Sequence, residues 1–211
     1  MRDFIKRLIN VILFRIKNKS VKLGKNVFIS YKTNTGHSCR IGNYCQILKD
    51  VRLGDNVVIG EYTKLRKITV GLNTMIESGV KVVGSGKGNI IVGKECYIGI
   101  NNILDTSDNI VIGNFVHIAG PSTGLWCHSS AQMCINGIPL NDKDRDKYRP
   151  TSPIIIEDNV YIGGNCTIYP GVKICHHSII APNSAVTKNV EAYTMVGGVP
   201  AKFIKKIYIE K

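Results

Sequence analysis

An aliphatic residue recurs every six positions through most of this chain, and that period restricts the possible folds more than any other feature. The series runs Ile41-Gly42, Ile47, Leu53-Gly54, Ile59-Gly60, Val70-Gly71, Ile76, Val82, Val92-Gly93, Ile98-Gly99, Leu104, Ile112-Gly113 and Ile118-Ala119. After a long gap it resumes at Ile156, Ile162-Gly163, Ile168, Ile174, Ile180-Ala181 and Val186. A period of six is neither the two of a strand nor the 3.6 of a helix, so each hexad must supply one short strand and one corner of a solenoid. Three hexads close a triangular coil of about 18 residues, and stacked coils bury a continuous aliphatic column. Gly or Asn at the corners permits backbone conformations that other side chains resist. The expected fold class is an all-β solenoid, and such a core explains how a chain with one Trp and five Phe can still be packed.

The ends read differently. In residues 1–19, Phe4, Ile5, Leu8, Ile9, Ile12, Leu13 and Ile16 fall at helical spacing, with Arg2, Lys6, Arg7, Arg15, Lys17 and Lys19 mostly opposite. This basic amphipathic helix is too short and too charged to span a bilayer, which needs about 20 apolar residues, and it lacks a signal-peptide cleavage site. Two readings remain open: a helix packed on its own domain or on a neighbouring subunit, or a peripheral anchor lying in a membrane interface. Residues 20–211 form the solenoid domain, with a loop extruded over 124–150 and a tail over 201–211. The helix or the tail is expected to cap an end, because a bare end coil exposes strand edges.

The chain has 211 residues, enough for one substantial domain and a small appendage. Lys and Arg outnumber Asp and Glu by 28 to 15, a net charge of +13, which points to an anionic partner. No zinc-finger or RNA-binding signature is present, so a nucleic-acid partner is not expected. Seven cysteines, odd in number, irregularly spaced and without a C-x-x-C pair, predict free thiols in a reducing compartment, the cytoplasm. Cys45, Cys96 and Cys166 fall where the hexads call for small buried residues.

The gap in the repeat, Leu125 to Arg149, reads LWCHSSAQMCINGIPLNDKDRDKYR. It offers a lone His128 beside Trp126 and Cys127. The hexads, this looped-out histidine and the stretches IIIEDNVYIGGNCTIYPGVKI and IIAPNSAVTKNVEAYTMVGGVPAKFIKK resemble the hexapeptide-repeat acyltransferases, which are left-handed parallel β-helices. Within that class the chain looks most like the sugar O-acetyltransferases of the galactoside, maltose and surface-polysaccharide type. The resemblance covers roughly Leu23 to Lys206, and it implies a homotrimer that takes acetyl-CoA as donor and a glycan as acceptor, without a metal.

Acetyl transfer to a hydroxyl needs a base, and imidazole, with an ordinary pKa of about 6.5, is suited to that task. The resemblance places the catalytic histidine in the loop, hence at His128, although WCHSS departs from the family's usual D-x-H or G-H context. His117 is read as outward-facing on a coil, and His176 and His177 as solvated corner residues. Cys127 raises a rival route in which a thiol takes the acetyl group first. The resemblance further implies acceptor contacts at Asn101, Asn102 and Asp105, and Trp126 beside the base is a candidate sugar platform or loop anchor. For coenzyme A it implies Tyr161 and Gly164, where Tyr replaces the family's Trp, then Ala181, Pro182, Thr187 and Lys188, with Lys202 and Lys205 for the phosphates. Lysine in place of the family's arginine keeps charge but gives up a bidentate grip. Rival readings are an N-acetyltransferase acting on an amino-sugar nucleotide, a serine or antibiotic O-acetyltransferase, and a non-catalytic scaffold. A zinc-dependent carbonic anhydrase of the same solenoid type needs three converging histidines, for which the spacing of His117, His128 and His176 or His177 is unsuited.

Overall fold

A computed structural model of the protein describes the backbone of residues 2–209 and the side chains of residues 8–209. The hexads wind into a three-sided parallel β-solenoid, as their period predicts. Among the described residues the three faces are sheets of ten, eight and seven short strands. On the first face Ile41, Ile59, Ile76, Ile98, Ile118, Ile162 and Ile180 stand in direct register, one per coil. Val82, Leu104, Leu125, Ile168 and Val186 do so on the second, and Leu53, Val70, Val92, Ile112, Ile156 and Ile174 on the third. Every hexad aliphatic named above is at most 5% exposed. Each such side chain contributes about 1.5–3 kcal/mol on burial.

The corners follow the expectation only in part. Asn26, Asn56, Asn73, Asn101, Asn159, Asn165 and Asn183 take a left-handed backbone, but so do Tyr44, Tyr62, Phe115, His177 and Tyr193. An L residue there costs about 1–2 kcal/mol. Aromatic corners recover part of that by stacking between coils, with ring centroids 5.1 Å apart for Tyr44–Tyr62 and 4.9 Å for His177–Tyr193.

Both ends are covered. Helix α1 (Arg2–Lys17) lies on the first coils with Phe14 fully buried and Val11 packed against the core. Its remaining apolar stripe, Leu8, Ile9, Ile12, Leu13 and Ile16, is 44–65% exposed. At the other end the strand Lys202–Lys206 folds back antiparallel on Thr194–Gly197. No helix among the described residues is long and apolar enough to cross a membrane. All seven cysteines are free, and Cys39, Cys45, Cys96, Cys127 and Cys166 are buried.

The extruded loop begins later than the sequence suggests. Gly124 and Leu125 still form a strand of the second sheet, paired with Thr167 and Ile168, so the chain leaves the coil at Trp126 and rejoins it at Ile154–Ile156. The loop carries a short helix, α2 (Ala131–Ile135), which buries Met133, and a 3-10 turn at Arg145–Tyr148. An ion pair of 2.7 Å between Lys87 and Asp146 ties it to the neighbouring coil. Both partners are more than half exposed, so the pair contributes at most about 1 kcal/mol.

Candidate active site

Coil stacking assembles the site. Because Leu125 sits directly on Leu104 in the second sheet, the residues just after these two meet at one corner: Asp105, Thr106 and Ser107 below, Cys127 and His128 above. Asp105 is fully buried. Its Oδ1 accepts from the Ser107 amide at 2.9 Å and the Ser107 hydroxyl at 2.8 Å. Its Oδ2 accepts from the Cys127 amide at 3.0 Å and from His128 Nδ1 at 2.5 Å. Burial pushes the Asp105 carboxyl up, but the hydrogen bonds from His128 and Ser107 outweigh it and hold the group below its ordinary value.

Four donors converge on this carboxylate, which fixes the tautomer of the histidine: Nδ1 carries the proton and Nε2 the lone pair. Ser107 gives its hydroxyl proton to Asp105, so its oxygen, 3.1 Å from Nδ1, accepts a second share of the Nδ1–H. Nε2 accepts from Arg149 Nη2 at 2.7 Å. A buried carboxylate, an oriented imidazole and an outward lone pair make up the acid–base half of a hydrolase-type triad, able to take a proton from an incoming nucleophile. Gly84 in the coil below makes this possible, since a Cβ there, at φ +89°, would collide with Asp105 Oδ1.

These contacts correct two expectations. Asp105 is fully buried and bonds to His128 instead of facing an acceptor. Asn102 is likewise fully buried: its amide donates to the Ile118 and Ala119 carbonyls, and its oxygen accepts from the Thr123 amide, so it fastens one coil to the next. Asn101 is an exposed corner residue at φ +57°. Trp126 is half-buried and folds over Gly124, where a Cβ would meet its indole ring. Arg149, Ser107 and Gly84 are contacts that the sequence reading missed. Only the glycine left a trace there, in the run Gly84-Ser85-Gly86-Lys87-Gly88 that widens one corner.

Cys127 is fully buried, and burial together with the Asp105 charge pushes its thiol up to about 12. Such a thiol is not a nucleophile at neutral pH. Cys127→Ala is therefore expected to leave the Asp105–His128 pair and the fold in place, and iodoacetamide is expected not to label Cys127 in the folded protein. An isolable acetyl-thioester on Cys127 would restore the two-step route.

The other histidines lie elsewhere. His117 faces outward as expected, between the rings of Tyr97 at 4.5 Å and Tyr161 at 5.4 Å. His176 and His177 are half-buried against Tyr193, less solvated than expected. Among the described residues no three His, Cys, Asp or Glu side chains converge as metal ligands would.

The profile of the bacterial transferase hexapeptide family, six repeats, matches residues 32–67 and 153–188, the strands and corners that flank this site on either side. The chain carries the hexapeptide repeat of that family in both matched stretches. It is 32% identical over 140 residues to a galactoside O-acetyltransferase of Escherichia coli (strain K12), covering 66% of this chain and 64% of that protein. It is 51% identical over 114 residues to a probable macrolide acetyltransferase of Lysinibacillus sphaericus, covering 49% of this chain and 63% of that one. It thus spans less than two thirds of the length of either relative. Among solved structures, a mutant of AntD, an N-acyltransferase from Bacillus cereus in complex with dTDP-4-amino-4,6-dideoxyglucose and coenzyme A, superposes with a TM-score of 0.58. The match covers 92% of this chain and 88% of that one at 19% identity, a likeness of fold.

The hexapeptide coils place the residues expected at coenzyme A on two faces. Tyr161 lies outward on the first face, 40% exposed, in the ring ladder with His117. Gly164, Ala181 and Pro182 stack at the corner between the first two faces, and Thr187 and Lys188 follow the second-face strand Ala185–Val186. Gly164 has a structural reason of its own, as a Cβ there would collide with the Gly120 carbonyl of the coil below. Lys188, Lys202 and Lys205 are exposed, and among the described residues none has a carboxylate within 4 Å. Their charge is available to phosphates.

Proposed function

We propose that this protein transfers an acetyl group from acetyl-CoA to a hydroxyl of a sugar or surface polysaccharide, directly and with His128 as general base. The observation that carries the reading is the Asp105–His128 pair. Asp105 holds the proton on Nδ1, so Nε2 is left as the acceptor for the hydroxyl proton. The oxygen attacks the thioester carbonyl as His128 takes that proton. The tetrahedral intermediate then expels the coenzyme A sulfur, which receives the proton back from Nε2, and Asp105 stabilises the imidazolium in between. Thr187, Lys188, Lys202 and Lys205 are assigned to the donor, with the lysines facing its phosphates, and Trp126 and Asn101 to the acceptor surface. The galactoside O-acetyltransferase relative supports a sugar hydroxyl as acceptor. The macrolide relative, more identical over a shorter stretch, supports a second reading with an antibiotic hydroxyl.

Incubation with labelled acetyl-CoA and a panel of glycans, macrolides, serine and amino-sugar nucleotides separates these readings. Label in an ester on a glycan is the expected result. Label in an amide would overturn O-transfer, and absence of coenzyme A binding by calorimetry would favour a scaffold.

A homotrimer at the cytoplasmic face of the membrane completes the proposal, with α1 as the membrane contact. Deleting residues 1–19 would also remove Phe14 from the core, so a cleaner test puts Lys at Ile9, Ile12 and Ile16, which are 48–65% exposed. The triple variant is expected to shift from the membrane to the soluble fraction with its coenzyme A affinity unchanged. An unchanged distribution counts against anchoring.

A further inference from the structure

We propose that Arg149 sets acceptor specificity: it covers the lone pair of His128 when no acceptor is bound and is drawn off by a carboxylate or phosphate carried by the acceptor. This rests on His128 being the base. Arg149 Nη2 lies 2.7 Å from Nε2, the atom that has to receive the hydroxyl proton, so the guanidinium and an acceptor hydroxyl compete for one lone pair. The rest of the guanidinium is poorly satisfied. Its Nε is buried and without a partner, and among the described residues no carboxylate comes within 4 Å of it. The nearest candidate in sequence, Asp146, is held at 2.7 Å by Lys87 instead.

A half-buried cation with an idle donor is unfavourable until an anion reaches it. The planar fork of arginine matches carboxylate or phosphate with two parallel bonds. The surroundings fit such an acceptor. Arg149 and Arg145 line a cleft of about 490 Å³ whose apolar wall includes Met133, Ile138 and Leu140. That combination suits a ring with an apolar face and a negative substituent. A neutral acceptor would displace the guanidinium and offer nothing to hold it in its new position. An anionic one binds it and frees the base in the same step.

The test reads the lone pair directly. Diethyl pyrocarbonate acylates imidazole at a free lone pair, and its reaction at His128 is followed by peptide mass spectrometry. Arg149→Ala is expected to speed modification of His128 at least tenfold. Glucuronate or inorganic phosphate, added separately to tell the two anions apart, is expected to speed it in wild type and not in the variant. Equal rates in wild type and variant, or no response to either anion, overturn the proposal whether or not acetyl transfer has been found. With oligogalacturonate and its methyl ester as acceptors, the ratio of kcat/KM for acid over ester is expected to fall at least tenfold in Arg149→Ala. A wild type that prefers the ester also overturns it. Loss of the functional reading itself shows separately, as acetyl transfer that survives His128→Ala.

Discussion

His128→Ala is expected to lower the rate of acetyl transfer by about 10²–10⁴-fold, the usual contribution of a positioned general base, with the fold intact. The fold should survive because His128 lies beyond the end of its strand and contributes no side chain to the aliphatic columns. Its bridge to Thr151 is made by the backbone. The loss removes one of four hydrogen bonds to Asp105, and the other three, from Ser107 and the Cys127 amide, remain. A hydrogen bond to a charged group contributes about 1.5–3 kcal/mol, small against the columns of buried Ile, Val and Leu. Circular dichroism and the unfolding midpoint check the fold, and release of the coenzyme A thiol checks the rate. Because the residues proposed for the donor are others, the KM for acetyl-CoA is expected to change little. A variant that keeps more than about a tenth of wild-type activity would remove His128 from its role.

The parts of this protein that were legible in sequence are those that repeat. A six-residue period predicted three parallel faces and the inward position of every hexad aliphatic, because stacking identical coils is the one way such a pattern buries itself. The break in the period located His128, the residue proposed as the base. What the period does not carry is the contact between coils at a corner. Asp105 and His128 are 23 residues apart in sequence, and only the direct stacking of Leu104 and Leu125 brings them together. The sequence therefore picked out Asp105 but gave it the wrong neighbour, and it read the coil fastener Asn102 as an acceptor contact. The aromatic corners were missed for a related reason: the left-handed backbone of Tyr44, Tyr62 or Tyr193 is made tolerable by a ring in another coil, not by the residue's own preference. Arg149 lies in the aperiodic loop, where no pattern fixes which way a side chain turns.

Asp105→Asn is the sharpest test of the pairing, because it keeps the shape and removes the charge. The carboxylate meets four donors, whereas an amide offers one oxygen and one NH2 group. If the NH2 faces His128, the imidazole has to present a lone pair at Nδ1 and a proton at Nε2, and the base is lost; the Cys127 amide is left unpaired as well. If it faces Ser107, the Ser107 amide loses its acceptor and the imidazolium formed during transfer loses its counter-charge. Either orientation leaves a buried donor unpaired, at about 1–3 kcal/mol, and kcat is expected to fall by about 10²–10⁴-fold. As Asp105 is fully buried behind His128, the KM for acetyl-CoA is expected to hold. Stability carries a second signature. The folded-state pKa of Asp105 is depressed, so its ionised form stabilises the fold fully above the ordinary carboxylate value of about 3.9 and loses that contribution as the pH falls through the lower folded-state value. The gap in unfolding midpoint between wild type and Asp105→Asn is therefore expected to be widest near neutrality and to narrow below about pH 4. A gap that stays constant across that range, or a kcat within tenfold of wild type, would mean that Asp105 packs beside His128 without orienting it.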